Sequence, residues 1–213
     1  MAALLSVAAA LSLSSPPRLA ALGRQLVRLE KRKADTTLDA LARQTEELEG
    51  HAIVLGFGRF GHTVTRLLDS AHVPWIALDL DSGQVLRAHR RGYPVFFGDG
   101  TRRSVLEAAG AARACAIVVT LDNPGAAERA VEAAHMVRAD LPVATRARDH
   151  RQAKRLQDYG AAIVIPEIVE ASIQLGLQVL EETGKDAGNI DVLLDEIRRQ
   201  GGQVVDPSDD DRD

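Results

Sequence analysis

The 213-residue sequence predicts an α/β fold, a doubly wound parallel sheet of about six strands. Three observations lead there. Short continuous apolar runs recur at 52–55 (AIVL), 75–79 (WIALD), 94–97 (PVFF), 116–120 (AIVVT), 142–146 (PVATR) and 162–165 (AIVI). Strands buried on both faces have that composition, because helices cover both sides of a parallel sheet. Segments of helical period lie between the runs: Phe60, Val64, Leu67, Leu68 and Ala71 form one apolar stripe, and Ala127, Ala130, Val131 and Ala134 another. Finally, the first run opens directly into "GFGRFG", three glycines before a helical pattern.

The elements follow in order. Residues 1–17 are apolar, and Met1 to Leu13 carry no charge. As a helix these would reach about 20 Å, short of a hydrocarbon core of about 30 Å. Arg18, Arg24, Arg28, Lys31, Arg32 and Lys33 come after. Positive charge on the far side of an apolar segment marks that side as cytoplasmic. The start therefore reads as the last part of a transmembrane helix leaving the membrane; a short amphipathic segment lying on a surface is the alternative. Residues 18–50 read as a basic helical linker, with leucines at 19, 22, 26, 29, 38, 41 and 48. Residues 51–182 hold the strand–helix alternation, 183–205 a C-terminal helix, and 206–213 ("PSDDDRD" with the preceding Asp206) an acidic tail expected to be disordered.

Composition excludes several functions. A net charge of −4 and a pI near 5.9 argue against nucleic acid as the main partner. The single cysteine, Cys115, forbids an internal disulfide and fits a reducing compartment; at the head of a strand it reads as buried packing. No zinc-type spacing of Cys or His occurs. The six histidines read as surface or capping residues.

The glycines carry the chemistry. Gly56-x-Gly58-x-x-Gly61 follows the first strand, opens the first helix, and is matched by an acid, Asp79, at the end of the second strand. In that context the pattern is the dinucleotide fingerprint of a Rossmann-like sheet. Gly56 permits the turn, Gly58 lets a pyrophosphate approach the backbone, and Gly61 brings helix and strands together. The helix N-terminus favours the anion. Phe57, Arg59 and Phe60 complete the predicted phosphate turn. Asp79 is expected to accept from a ribose. A second acid at Asp81, with no arginine directly after Asp79, favours NAD over NADP; NADH or an adenine mononucleotide are the other ligands of the class. Asp99, Thr120 and Arg146 stand at the carboxyl ends of later strands, where open α/β sheets bind ligands. Asp99 either faces the nucleotide or, with Thr101, shapes the turn and caps the next helix. Arg146 and Arg148 either hold an anion or form surface ion pairs.

Taken together, "HAIVLGFGRFG", "FFGDGTR", "VLEAAGA", "AIVVTLDNP", "ATRARD" and "YGAAIVIPEIVEASIQLG" resemble, in order, the TrkA-N or RCK nucleotide-binding module of Kef-type potassium/proton antiporters. The likeness covers roughly residues 50–182. It implies a dimeric Rossmann domain at the cytoplasmic face of the cell membrane. It also implies gating of monovalent cation (potassium) transport through an antiporter membrane domain, attached upstream or on a separate chain. Gly56, Gly58, Gly61, Asp79, Asp99, Thr120 and Arg146 are then the nucleotide-lining residues. Some Kef proteins also bind glutathione through an arginine of the second helix and an asparagine of the fourth. His89 and Ala127 stand at those positions here, which argues against glutathione control. A free-standing TrkA-like subunit shares the mechanism and differs in attachment.

An NAD-dependent oxidoreductase is the reading from another class. It needs an acid–base group beside the nicotinamide. The residues after the last strand carry no tyrosine or histidine, which favours a regulatory module that is not an enzyme. The last long helix, "EIVEASIQLGLQVLEE", carries two apolar stripes: Val169, Ile173, Leu177 and Leu180, and Ile168, Leu175 and Val179. One stripe suffices to cover a sheet edge. The second, with Gly176 in mid-helix, predicts a homodimer.

Overall fold

The structure is a computed structural model that describes residues 38–184 and 190–200. The expected membrane segment, the first part of the linker and the acidic tail lie outside the described residues. The chain divides into two units, Met1–Glu47 and Leu48–Asp213. Within the first, residues 38–45 are helical, as the leucine spacing predicts. No helix among the described residues is long and apolar enough to cross a membrane.

The second unit alternates strictly. Strands β1 (Ala52–Leu55), β2 (Trp75–Asp79), β3 (Val95–Phe97), β4 (Ala116–Val119), β5 (Val143–Ala147) and β6 (Ile163–Pro166) are separated by α1 (Arg59–Ser70), α2 (Ser82–His89), α3 (Arg103–Ala108), α4 (Pro124–Val137) and α5 (His150–Asp158). Then come α6 (Glu167–Glu182) and α7 (Asp191–Gln200). All pairings are parallel, in the order β3-β2-β1-β4-β5-β6. This is the doubly wound order, with the crossover between β1 and β4. The first two strands have the predicted bounds; the others shift by a residue or so.

Burial explains the strand compositions. Every residue of β1 is buried, because β2 and β4 flank it and helices cover both faces. β6 reads equally apolar, yet Ile163 and Ile165 are exposed, for β6 is the sheet edge. Caps fix the helix starts. Asp81 accepts from Gly83 N and Gln84 N at α2, and Asp149 from Gln152 N at α5. At α4, Asn123 accepts from Ala126 N and Pro124 follows at the first helical position.

One helix stripe is buried only in part. Of Phe60, Val64, Leu67, Leu68 and Ala71 in α1, Phe60 (39%), Leu67 (66%) and Ala71 are exposed and Val64 is half-buried. Gly61 and Thr65 are buried instead, and Leu68 packs into the core cluster with Trp75 and Phe57. At Gly61 the helix lies too close to the β1 end for any side chain on its inner face. The Ala127–Ala130–Val131–Ala134 stripe of α4 is buried as predicted.

Two smaller expectations are also overturned. Cys115 is exposed, since it precedes the buried part of its strand. His51 is not at the surface: it is fully buried, with Nε2 3.0 Å from Ala109 O and Nδ1 without a partner among the described residues. Burial pushes its pKa below the ordinary imidazole value, with Arg113 acting in the same direction.

In α6 the two stripes part company. Val169 and Ile173 are buried and Leu177 and Leu180 half-buried, whereas Ile168, Leu175 and Val179 are exposed. α7 packs against α6, but leaves that second stripe in solvent.

Candidate nucleotide-binding site

The β1–α1 turn is built so that side chains cannot enter it. Gly56 has φ +98°, and a Cβ there would meet Thr120 Oγ1 at 2.8 Å. A Cβ on Gly61 would sit 2.1 Å from Gly56 O. Gly58 is different: nothing lies within 4 Å of the space its Cβ would take. So two glycines are required by packing inside the protein. The third leaves open space at the N-terminus of α1, where unpaired N–H groups and the helix dipole favour an anion.

Side chains from neighbouring strand ends hold this turn. Thr120, just past β4 and buried, hydrogen-bonds from Oγ1 to Leu55 O (3.0 Å) and Gly56 O (2.9 Å). Asp79 ends β2 and accepts from Phe57 N (2.7 Å) through one oxygen and from Asp81 N (2.8 Å) through the other. Gln84 Nε2 donates to Phe57 O. Phe57 is thus gripped at both backbone groups, and its ring stacks on Trp75 (centroids 5.9 Å). Asp79 keeps acceptor capacity, since a carboxylate has about four lone-pair sites.

Asp99 follows β3. Its Oδ1 accepts from Thr101 N (3.0 Å) and Thr101 Oγ1 (2.7 Å), which closes a local turn. It does not cap α3, whose N-cap is Arg102 with no side-chain cap bond. Asp99 therefore shapes the turn without capping the next helix.

Arg146, in β5, is the most engaged residue of the set. Its Nε donates to Thr120 O (3.2 Å), Nη1 pairs with Glu167 and Nη2 with Asp122. The guanidinium lies 5.4 Å from the centroid of the Phe60 ring. The side chain is only 16% exposed. Its partners face solvent, Asp122 at 94% and Glu167 at 37% exposure, so these are ion pairs at the surface and water screens them. Arg148, by contrast, is exposed, and among the described residues it enters the side-chain hydrogen bonding only through its backbone N, to Gln152. Sequence reasoning missed Asp122, Glu167 and Gln84. Asp122 sits three residues beyond β4 and Glu167 one beyond β6, in "TLDNP" and "IPE", which is the signal that could have found them.

Gly58, Phe60, Thr120, Asp122 and Arg146 line a groove of about 540 Å³ along the α1 N-terminus. Asp79 ends β2, and Asp99 lies two residues past the end of β3. The predicted residues therefore gather at one edge of the sheet, the carboxyl edge on either side of the β1/β4 crossover. No cluster of metal-ligating side chains occurs among the described residues.

Residues 52–167 match the TrkA-N domain family. The chain belongs to that family. It is 34% identical over 198 residues to K(+) efflux antiporter 2, chloroplastic, of Arabidopsis thaliana, covering 93% of this chain and 17% of that protein. It is 33% identical over 202 residues to the glutathione-regulated potassium-efflux system protein KefC of Cronobacter sakazakii, covering 95% of this chain and 32% of that protein. The chain thus spans a third or less of the curated relatives it matches. Among solved structures, the Shewanella denitrificans Kef C-terminal domain in its AMP-bound form superposes with a TM-score of 0.60 at 31% identity, over 70% of this chain and 91% of that one. The six-stranded Rossmann-like sheet is the architecture of this TrkA-N chain.

Proposed function

We propose that residues 51–182 are the cytosolic nucleotide-binding regulatory module of a Kef-type cation/proton antiporter, gating potassium movement at the cytoplasmic face of the membrane. The observation that carries this reading is the open space at Gly58 beside a turn clamped by Asp79 and Thr120. A phosphate fits there, on the free N–H groups of α1. Asp79 takes the ribose, Asp99 lies towards the adenosine side, and Arg146 faces the phosphates. NAD or NADH is the ligand class the acid at the end of β2 favours. The AMP-bound Kef neighbour supports an adenine nucleotide in general.

The gating step follows from the Arg146 pairs. A phosphate at the turn competes with Asp122 and Glu167 for the guanidinium. Glu167 is the first residue of α6. Releasing it alters how α6 starts, and α6 carries the exposed Ile168–Leu175–Val179 stripe on which a second copy of the module would pack. Nucleotide then shifts the population of paired arrangements by its affinity difference between them, and the linker transmits the shift. Attachment is in cis upstream or through a separate antiporter chain. No hydride transfer is expected, and His89 and Ala127 stand against glutathione control.

Calorimetry with AMP, NAD and NADH on the purified chain tests the reading. Binding of at least one, lost on Gly58→Val, supports it. Absence of heat with all three overturns the site.

A further inference from the structure

The turn at Gly58 and Arg59 has a groove on each side. One is the groove of Phe60 and Arg146 described above. The other, about 460 Å³, runs between α1 and α2. Its walls are Arg59, His62 and Thr63 from α1, and Arg87 and Arg91 from the α2 side, with Tyr93 at one end. No carboxylate lines it, in a chain of net charge −4. Among the described residues, the Arg59 and Arg91 side chains make no hydrogen bond or ion pair. Arg87 donates to Gln84 Oε1 (2.8 Å) and meets Asp81 only at 3.8 Å. Three guanidiniums line one concavity, and among the described residues only Arg87 has a carboxylate within ion-pair range, so the groove favours an anion. Arginine forks match phosphate oxygens two at a time. The floor is rigid: His62, Phe57, Tyr93 and Trp75 form one aromatic cluster, with His62 at right angles to Tyr93 and 5.7 Å from it.

We infer that the α1–α2 groove is a second anion site, for a phosphate-bearing ligand other than the nucleotide at the glycine turn. It shares Gly58, Arg59 and Thr63 with the groove of Phe60 and Arg146, while Arg87 and Arg91 line this groove and not the other. It is also distinct from the position of His89, whose ring packs on Phe96 at the β3 side of α2. The two sites are joined: Arg87 holds the Gln84 side chain whose amide grips Phe57 O in the turn. A free metabolite and a lipid headgroup both carry such a phosphate and offer the same chemistry to the three arginines.

The test uses inorganic pyrophosphate on the full chain, with AMP first added to saturation. Trp75 is the only tryptophan and lies in the cluster beneath the groove, so its emission reports entry. A saturable change is expected, weakened about tenfold or more in the double variant Arg87→Gln with Arg91→Gln. AMP titration by calorimetry should stay within about twofold in the single variant Arg91→Gln, whose side chain makes no bond to the turn among the described residues. A second arm measures co-sedimentation with phosphatidylglycerol vesicles against phosphatidylcholine vesicles. Pyrophosphate binding without vesicle binding assigns a free metabolite. Vesicle binding lost in the double variant assigns a lipid headgroup. The inference is overturned if the double variant binds pyrophosphate and vesicles as wild type does, or if wild type binds neither. A chain that binds no AMP but gives the variant-sensitive pyrophosphate response removes the nucleotide reading and leaves the second site standing.

Discussion

Gly61→Ala and Gly58→Ala separate packing from ligand binding at the same turn. At Gly61 the new methyl would lie 2.1 Å from Gly56 O, 3.1 Å from Gly56 C and 3.2 Å from Thr120 Oγ1. Two of those atoms are backbone, so relief requires α1 to move away from β1 by about 1 Å, which strains the inner Thr65 and Leu68 contacts. Overpacking of this kind costs typically 1–3 kcal/mol, and backbone overlap puts Gly61 at the upper end, about 3 kcal/mol. For a chain of this size that lowers Tm by roughly 6–12 °C. At Gly58 the methyl meets nothing, and φ −73° suits alanine. The cost there is the difference between glycine and alanine as an N-cap, about 0.5–1 kcal/mol. Nucleotide affinity should fall in both, but in Gly58→Ala it falls without the stability loss. Urea denaturation followed by Trp75 fluorescence measures the first quantity and calorimetry with AMP or NAD the second. A Gly61→Ala variant within about 0.5 kcal/mol of wild type would refute the steric argument. A Gly58→Ala variant with unchanged affinity would refute the phosphate placement.

Other outcomes follow from single features. Asp79→Ala removes the acceptor of Phe57 N and Asp81 N together with the ribose partner, and should weaken nucleotide binding by about 1–3 kcal/mol, read by calorimetry. Leu175→Asp with Val179→Asp, both exposed in one chain, should leave secondary structure intact by circular dichroism. The same pair should turn a sedimenting dimer into a monomer; a wild type that is monomeric at tens of micromolar removes the homodimer. His51 is buried neutral, with a folded-state pKa below its unfolded value near 6.5. The unfolded chain therefore binds more protons as pH falls through that value, and stability drops below about pH 6.5 while being full above it. His51→Gln should flatten this dependence in urea titrations at pH 5, 6 and 7; an equal slope in both proteins would show that other groups carry it.

The strands were readable because burial on both faces leaves one kind of sequence, and Ile53, Val54 and Leu55 are such residues. The glycine turn was readable because only glycine answers a 2.1 Å approach. The exposed part of the α1 stripe was not, since hydrophobic period assumes that space exists on the inner side. At Gly61 no such space exists, and Thr65 is buried while Val64 is half-buried. Within the site, the acid and the glycines could be picked out, but Asp122 and Glu167 could not be assigned to Arg146. Their pairing is a matter of which strand ends stand side by side, and that is set by the order β1-β4-β5-β6.

That strand order also has a bearing on synthesis. β1 is the middle of the sheet, yet one of its neighbours is made late: Ala52 pairs with Ala116. A ribosome adding about 5–20 residues per second delivers β4 several seconds after β1. During that interval β1, β2 and β3 can associate, but one whole edge of the most apolar strand has no partner. An unpaired apolar edge is a template for wrong pairing between nascent chains. Closing it waits on a non-local contact, the slow kind in folding. The glycine turn cannot be completed earlier either, because Thr120, which ties it down, arrives with the same late strand.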